Sequence, residues 1–184
     1  MTERREMLQR LDRLGTREFW SCTLIASTWN VVHSVLSSTE EVRWLAAHAD
    51  QSVPEVLERM RTRYMSDPEL IACFVVLEQA GDPRAVPAIV RYVESLPAVE
   101  KSYAYMVARL TGDSAYRSPE HMWHPFIYAM RALDRLSALG LFEPGSSPNA
   151  WELFLRRREI ASAARERFEQ MSGRQHPEDP PRPP

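Results

Sequence analysis

Apolar positions along the chain recur three and four residues apart, the spacing of one helix face, and no run shows the strict alternation of a half-buried strand. Met7, Leu8, Leu11 and Leu14 predict a first helix that stops at Gly15. Thr16 is placed to cap a second, dense in bulky residues from Phe19 to Leu36. Thr39, followed by Glu40 and Glu41, predicts the start of a short third helix carrying Val42, Trp44 and Leu45. A cap oxygen and early acidic residues satisfy the free N–H groups and the positive end of a helix. Ser52 reads as the cap of a fourth, with Pro54 and Glu55 in its first turn and Val53, Val56, Leu57, Met60 and Tyr64 along its apolar face.

Ser66-Asp67-Pro68-Glu69 opens a fifth helix, with Leu70, Ile71, Phe74, Val75 and Leu77 on its face and Gly81 at its end. The sixth follows Asp82-Pro83, shows Val86, Ile89, Val90 and Val93, and closes at Pro97. A seventh uses Val99, Tyr103, Met106, Val107 and Leu110 and ends at Gly112. After a polar loop from Asp113, an eighth begins at Pro119 or Pro125 and reaches Leu139 on Phe126, Ile127, Met130, Leu133 and Leu136. A ninth spans Ala150 to Met171, with Trp151, Phe154, Leu155, Ala161, Ala164 and Phe168 on one face.

The six glycines, Gly15, Gly81, Gly112, Gly140, Gly145 and Gly173, all fall at or just past the end of an apolar run. Glycine there supplies the left-handed cap that ends a helix. The chain is therefore expected to be all-α: one helical domain over residues 1–172, then a disordered proline-rich tail over 173–184. In that tail Pro177, Pro180, Pro181, Pro183 and Pro184 lie among charged residues with no apolar anchor.

Residues 67–96 read DPELIACFVVLEQAGDPRAVPAIVRYVESL. This stretch resembles a HEAT-type repeat of the short, bacterial kind: an apolar helix, a Gly-Asp-Pro turn, an Arg-Ala-Val-Pro step and a second apolar helix. Gly81 ends the first helix, Asp82 accepts backbone N–H groups, and Pro83 has no donor to lose in a first turn. Pro87 is the awkward member, because proline deep in a helix costs ~3 kcal/mol. The resemblance implies that Asp82 to Val86 form a separate short turn and that the helix proper begins near Pro87. It also implies stacked antiparallel helix pairs, a HEAT-like right-handed α-solenoid or α–α superhelix of about nine helices in all. One such unit cannot bury its own face, so neighbours are needed. Residues 39–64 are a weak echo of it, and 99–139 are a candidate third pair.

Composition adds bounds. At 184 residues and 44% hydrophobic the chain suits one ordinary domain with a real core. A formal charge of −2 gives no long-range pull toward nucleic acid or an anionic membrane. Lys101 is the only lysine, so the basic residues are arginines. The two cysteines, Cys22 and Cys73, sit in apolar runs and form neither a disulfide framework nor a zinc site. The first residues have no apolar signal segment, and polar residues interrupt Phe19–Leu36, so a cytoplasmic, membrane-free protein is expected.

Candidate chemistry is sparse. His121 and His124 next to Glu120 have a spacing that brings two imidazoles to one metal on a continuous helix, but Pro125 disfavours helix at its preceding residue and no further ligands cluster nearby. His33 and His48 read as satisfied, partly buried histidines. No Gly-rich phosphate loop or nucleophile motif occurs, so no cofactor, metal or catalytic residue is assigned. Glu78, Asp134 and Glu152 are the carboxylates an enzyme would draw on. Arg156, Arg157 and Arg158, joined by Arg165 and Arg167, make the ninth helix locally basic, with Glu159, Glu166 and Glu169 interleaved. Of the five tryptophans, Trp20, Trp29, Trp44, Trp123 and Trp151, any that stands exposed in a groove makes a good anchor. Arg156, Arg157, Arg158, Trp123 and Trp151 are the candidate partner-binding residues.

These features point to a non-enzymatic protein–protein interaction module: a scaffold, an adaptor or an immunity-type binder. The alternatives are a HEAT-like enzyme of lyase or DNA glycosylase type, or a sensor that holds a small molecule between helices. The glycosylase reading expects a basic concave face, for which the chain has no charge excess.

Overall fold

A computed structural model describes residues 3–14, 29–96, 119–142 and 150–174, with backbone alone for 29–31, 119–124, 150–151 and 174. These residues form nine α-helices and a 3₁₀ turn, and no strand occurs among them. In chain order they are α1 (Glu3–Leu14), α2 (Trp29–Ser38), α3 (Glu40–Ala47), α4 (Ala49–Thr62), α5 (Asp67–Ala80), the turn Pro83–Ala85, α6 (Val86–Ser95), α7 (Pro119–Ser137), α8 (Ala150–Leu155) and α9 (Arg157–Arg174). The early part of the expected second helix, the expected helix over 99–110, and residues 175–184 of the proline-rich tail lie outside the described residues.

α5 is the centre of the molecule. Its apolar residues go round the whole helix, and eight consecutive residues, Ile71 to Glu78, are buried. A helix without a polar face has to be surrounded, and α1, α2, α3, α4 and α7 all pack against it. α6 instead packs on α7 and α9, and α8 bridges those two. α5 meets α6 through Phe74 and Tyr92, whose ring centroids lie 4.9 Å apart. α7 meets α8 through an edge-on pair, Phe126 and Phe154, 5.5 Å apart.

The turn between α5 and α6 follows from its residues. Gly81 takes φ +64° at the end of α5. The Asp82 carboxylate accepts the Arg84 N–H at 2.9 Å and also holds the Arg84 guanidinium. Pro83 opens the 3₁₀ turn, and α6 starts at Val86, so Pro87 sits in its first turn where no N–H is missed. At the other end of the segment, the Glu69 carboxylate accepts both the N–H and the hydroxyl of Ser66, at 2.8 and 2.9 Å, and fastens the start of α5.

Several predicted boundaries move. α4 begins at Ala49, three residues before the expected cap. Ser52 is fully buried, and its hydroxyl faces the carbonyls of Leu45 and His48 at 2.5 and 3.0 Å. It serves the Leu45 carbonyl at the end of α3, while His48 O, the cap carbonyl of α4, already takes the backbone N–H of Ser52. Thr39 stands at the α3 cap, but its hydroxyl donates backward to Leu36 O at 2.8 Å. α7 runs through Pro125, with Pro119 as its first residue. The single predicted ninth helix is two, interrupted at Arg156, and Gly173 lies inside α9 rather than ending it.

Charged side chains fasten α1 over the rest. Arg10 pairs with Glu40 and Glu41 at 2.8 and 3.0 Å, and Asp12 takes Arg59 and Arg63 at 2.8 and 2.7 Å. The Trp44 indole N–H donates to Glu3 at 3.1 Å. No helix among the described residues is long and apolar enough to cross a membrane.

Candidate functional site

Two places combine polar groups with apolar surroundings: one inside the molecule, one on its surface. The inner one is built on Glu78, near the end of the central helix. Glu78 is 6% exposed. An ionised carboxylate only accepts hydrogen bonds, so the Nε2–H of His33 on α2 donates to its Oε2 over 2.8 Å. Arg131 on α7 donates Nε–H to its Oε1 at 3.2 Å. Burial pushes the Glu78 carboxyl upward. The hydrogen bonds and charges of His33 and Arg131 outweigh that, and the net displacement is below the ordinary glutamate value. The Tyr128 ring stacks over His33 with centroids 6.3 Å apart, and burial drives its phenol upward. One carboxylate thereby ties three helices, α2, α5 and α7, together.

Ser37, one helical turn after His33, places its hydroxyl 3.5 Å from His33 Nδ1. Serine, imidazole and carboxylate thus follow one another in hydrolase order. The distance is too long for a working relay, which needs about 2.6–3.2 Å between nucleophile and base. Both Glu78 oxygens are already engaged, with 8% of the side chain exposed. The arrangement is that of a buried lock, and His33 is the satisfied, buried histidine that the sequence suggested.

The other predicted residues disperse. His48 is exposed and stacks on Trp44 at 4.0 Å. Asp134 accepts the N–H groups of Leu141 and Phe142 at 2.8 and 3.2 Å, which closes the turn after α7. Glu152 is exposed on α8. Cys73 is buried, with its thiol pushed up to about 12 by that burial. Cys22 and the side chains of Glu120, His121, Trp123, His124 and Trp151 lie outside the described residues. No group of three His, Cys, Asp or Glu among the described residues is placed to hold a metal.

The arginine triplet splits. Arg156 is exposed and pairs with Glu159 at 3.1 Å, and Arg158 is exposed. Arg157 is 4% exposed, so its place as a partner-binding residue is corrected. Its guanidinium lies over the Phe154 ring, 4.1 Å from the centroid, and donates to Phe154 O at 3.0 Å. The break at Arg156 frees that carbonyl, and the turned-in arginine satisfies it. Desolvation, with Arg158 adding to it, lowers the Arg157 pKa.

The surface feature is a groove of about 260 Å³ between α6 and α9. Val86, Pro87, Val90 and Phe168 form its apolar floor; Arg91, Arg165 and Glu169 form its rim. The lining comes from residues one turn apart on each helix, Val86 with Val90 and Arg165 with Phe168 and Glu169. Arg165 is held by Glu94 of α6 at 2.7 Å, which fixes the two helices across the groove. Sequence reasoning found α6 and α9 but not this pairing, because neither helix alone shows which face it offers the other. Arg131 was missed for the same reason. Glu78 had a legible signal, an acid directly after the apolar run Phe74 to Leu77.

No protein-family model, curated protein or solved structure matches the chain.

Proposed function

We propose that this chain is a non-enzymatic protein-interaction module of HEAT-like helical architecture, which docks a partner protein in the groove between α6 and α9. The groove itself carries the reading: a hollow in which the half-buried Pro87 and Phe168 lie beside the buried Val86 and Val90, rimmed by charged side chains, has the form of a small interface core with a polar border. The HEAT-like reading of residues 67–96 draws its support from the Gly81 to Pro87 turn, where glycine, aspartate and both prolines each take the position that the resemblance implies.

The enzyme alternative rests on Glu78. A catalytic carboxylate must offer a lone pair to substrate, and Glu78, 6% exposed and holding a protein donor on each oxygen, offers substrate little access, so the interaction reading is preferred. The test is affinity capture from native lysate with the intact chain and with its Arg91→Glu and Phe168→Ala variants. A protein retained by the first, lost from folded Phe168→Ala and held more weakly by folded Arg91→Glu supports the reading. Retention of nucleic acid or a small molecule, with no protein, counts against it.

A further inference from the structure

Each wall of the groove carries one charge outside an ion pair. Arg91 stands on α6 and Glu169 on α9; both are exposed and line the groove, and neither forms an ion pair among the described residues. Their rim neighbour Arg165 is different, since Glu94 neutralises it at 2.7 Å. One unbalanced cation on α6 and one unbalanced anion on α9 therefore border the floor of Val90 and Phe168. A groove between two helices commonly receives a third amphipathic helix through a few apolar anchors. Charges on its border then decide which segments enter, and in which direction, more than how tightly they bind.

We infer that the groove reads a helical segment of a partner protein that inserts one large apolar side chain. That segment presents a carboxylate to Arg91 on the α6 side and a basic residue to Glu169 on the α9 side. Reversing the segment would set like charges against both walls, so only one direction is accepted. This inference rests on the groove being the docking surface.

The test is selection of helical peptides from a displayed library, using the intact chain as target. Each peptide has one fixed leucine and randomised residues three and four positions to either side. The expected winners carry Asp or Glu on one flank of the leucine and Lys or Arg on the other, the positions four before and three after forming one flank and those three before and four after forming the other. Selection on Arg91→Glu turns the acidic position basic, and selection on Glu169→Arg turns the basic position acidic. Each single mismatch weakens binding by about twofold to fivefold, the range of an exposed ion pair of ~0.5–1 kcal/mol. Hydrogen exchange of the α6 and α9 amides with bound peptide locates the site without any substitution. Winners that protect these amides but show no charge preference overturn the inference and leave the docking surface standing. Winners that protect neither helix, or no winners at all, overturn both.

Discussion

His33 and Glu78 are 45 positions apart in the chain, and their side chains meet at 2.8 Å inside the molecule. Arg131 completes the contact from a third helix at 3.2 Å. The carboxylate has two donors and little access to water. Removing it leaves both donors facing an apolar interior, which is far costlier than never having built the pair.

Glu78→Ala is therefore expected to lower stability by about 3 kcal/mol, the lower end of what breaking a buried ion pair costs, since Arg131 is partly solvated. The effect depends on pH. The folded carboxyl lies below its ordinary value of 4.5. Its stabilising contribution is complete above that value and is lost as pH falls through the folded pKa. Urea unfolding of the wild type and Glu78→Gln at neutral pH and near pH 3 checks this. The gap between them should narrow in acid, and a gap that stays constant rejects the assignment.

Arg157 and Arg158 are adjacent and identical in type, yet their substitutions should differ. Arg157→Ala removes a charged donor from Phe154 O and a cation from the Phe154 ring, for a loss of about 1.5–3 kcal/mol. Arg158→Ala changes an exposed residue, within about 0.5 kcal/mol of neutral. Thermal melts of the two variants decide the matter. Equal effects would mean that Arg157 is not the buried member.

Two glycines should respond oppositely to alanine. Gly81 takes φ +64°, and a methyl group there meets nothing within 4 Å, so the penalty is backbone strain alone, about 1–2 kcal/mol. Gly173 lies in α9, also with open space around it, so alanine should stabilise by up to about 1 kcal/mol. Chemical denaturation of both variants tests the pair; destabilisation by Gly173→Ala would place the helix end before that residue.

Legibility varied by element. α1, α3, α5 and α6 are readable because each combines an apolar face with a strong stop or start: a glycine, a Ser/Asp followed by proline, or, for α3, Thr39 followed by Glu40 and Glu41. α4 was misplaced because Ser52 and Pro54 imitate a helix start. What decides against that start is the need of the Leu45 carbonyl for a donor, which belongs to the end of another helix. The ninth helix was read as unbroken because nothing in Leu155-Arg156-Arg157 is a breaker residue. The interruption exists with Arg157 turned onto Phe154, a contact that periodicity does not encode.

The order of residues by itself determined the helical class, the turn from Gly81 to Pro87 and most of the apolar core, since these depend on neighbours within a few positions. Only the tertiary structure decided that α5 is surrounded, that Glu78 closes on His33 and Arg131, and that Arg91 and Glu169 line one groove. Those relationships join side chains from helices distant in the chain. A helix pattern states which residues turn inward, but not which residues of another helix they meet there, because many pairings bury the same apolar area and only one also satisfies the polar groups.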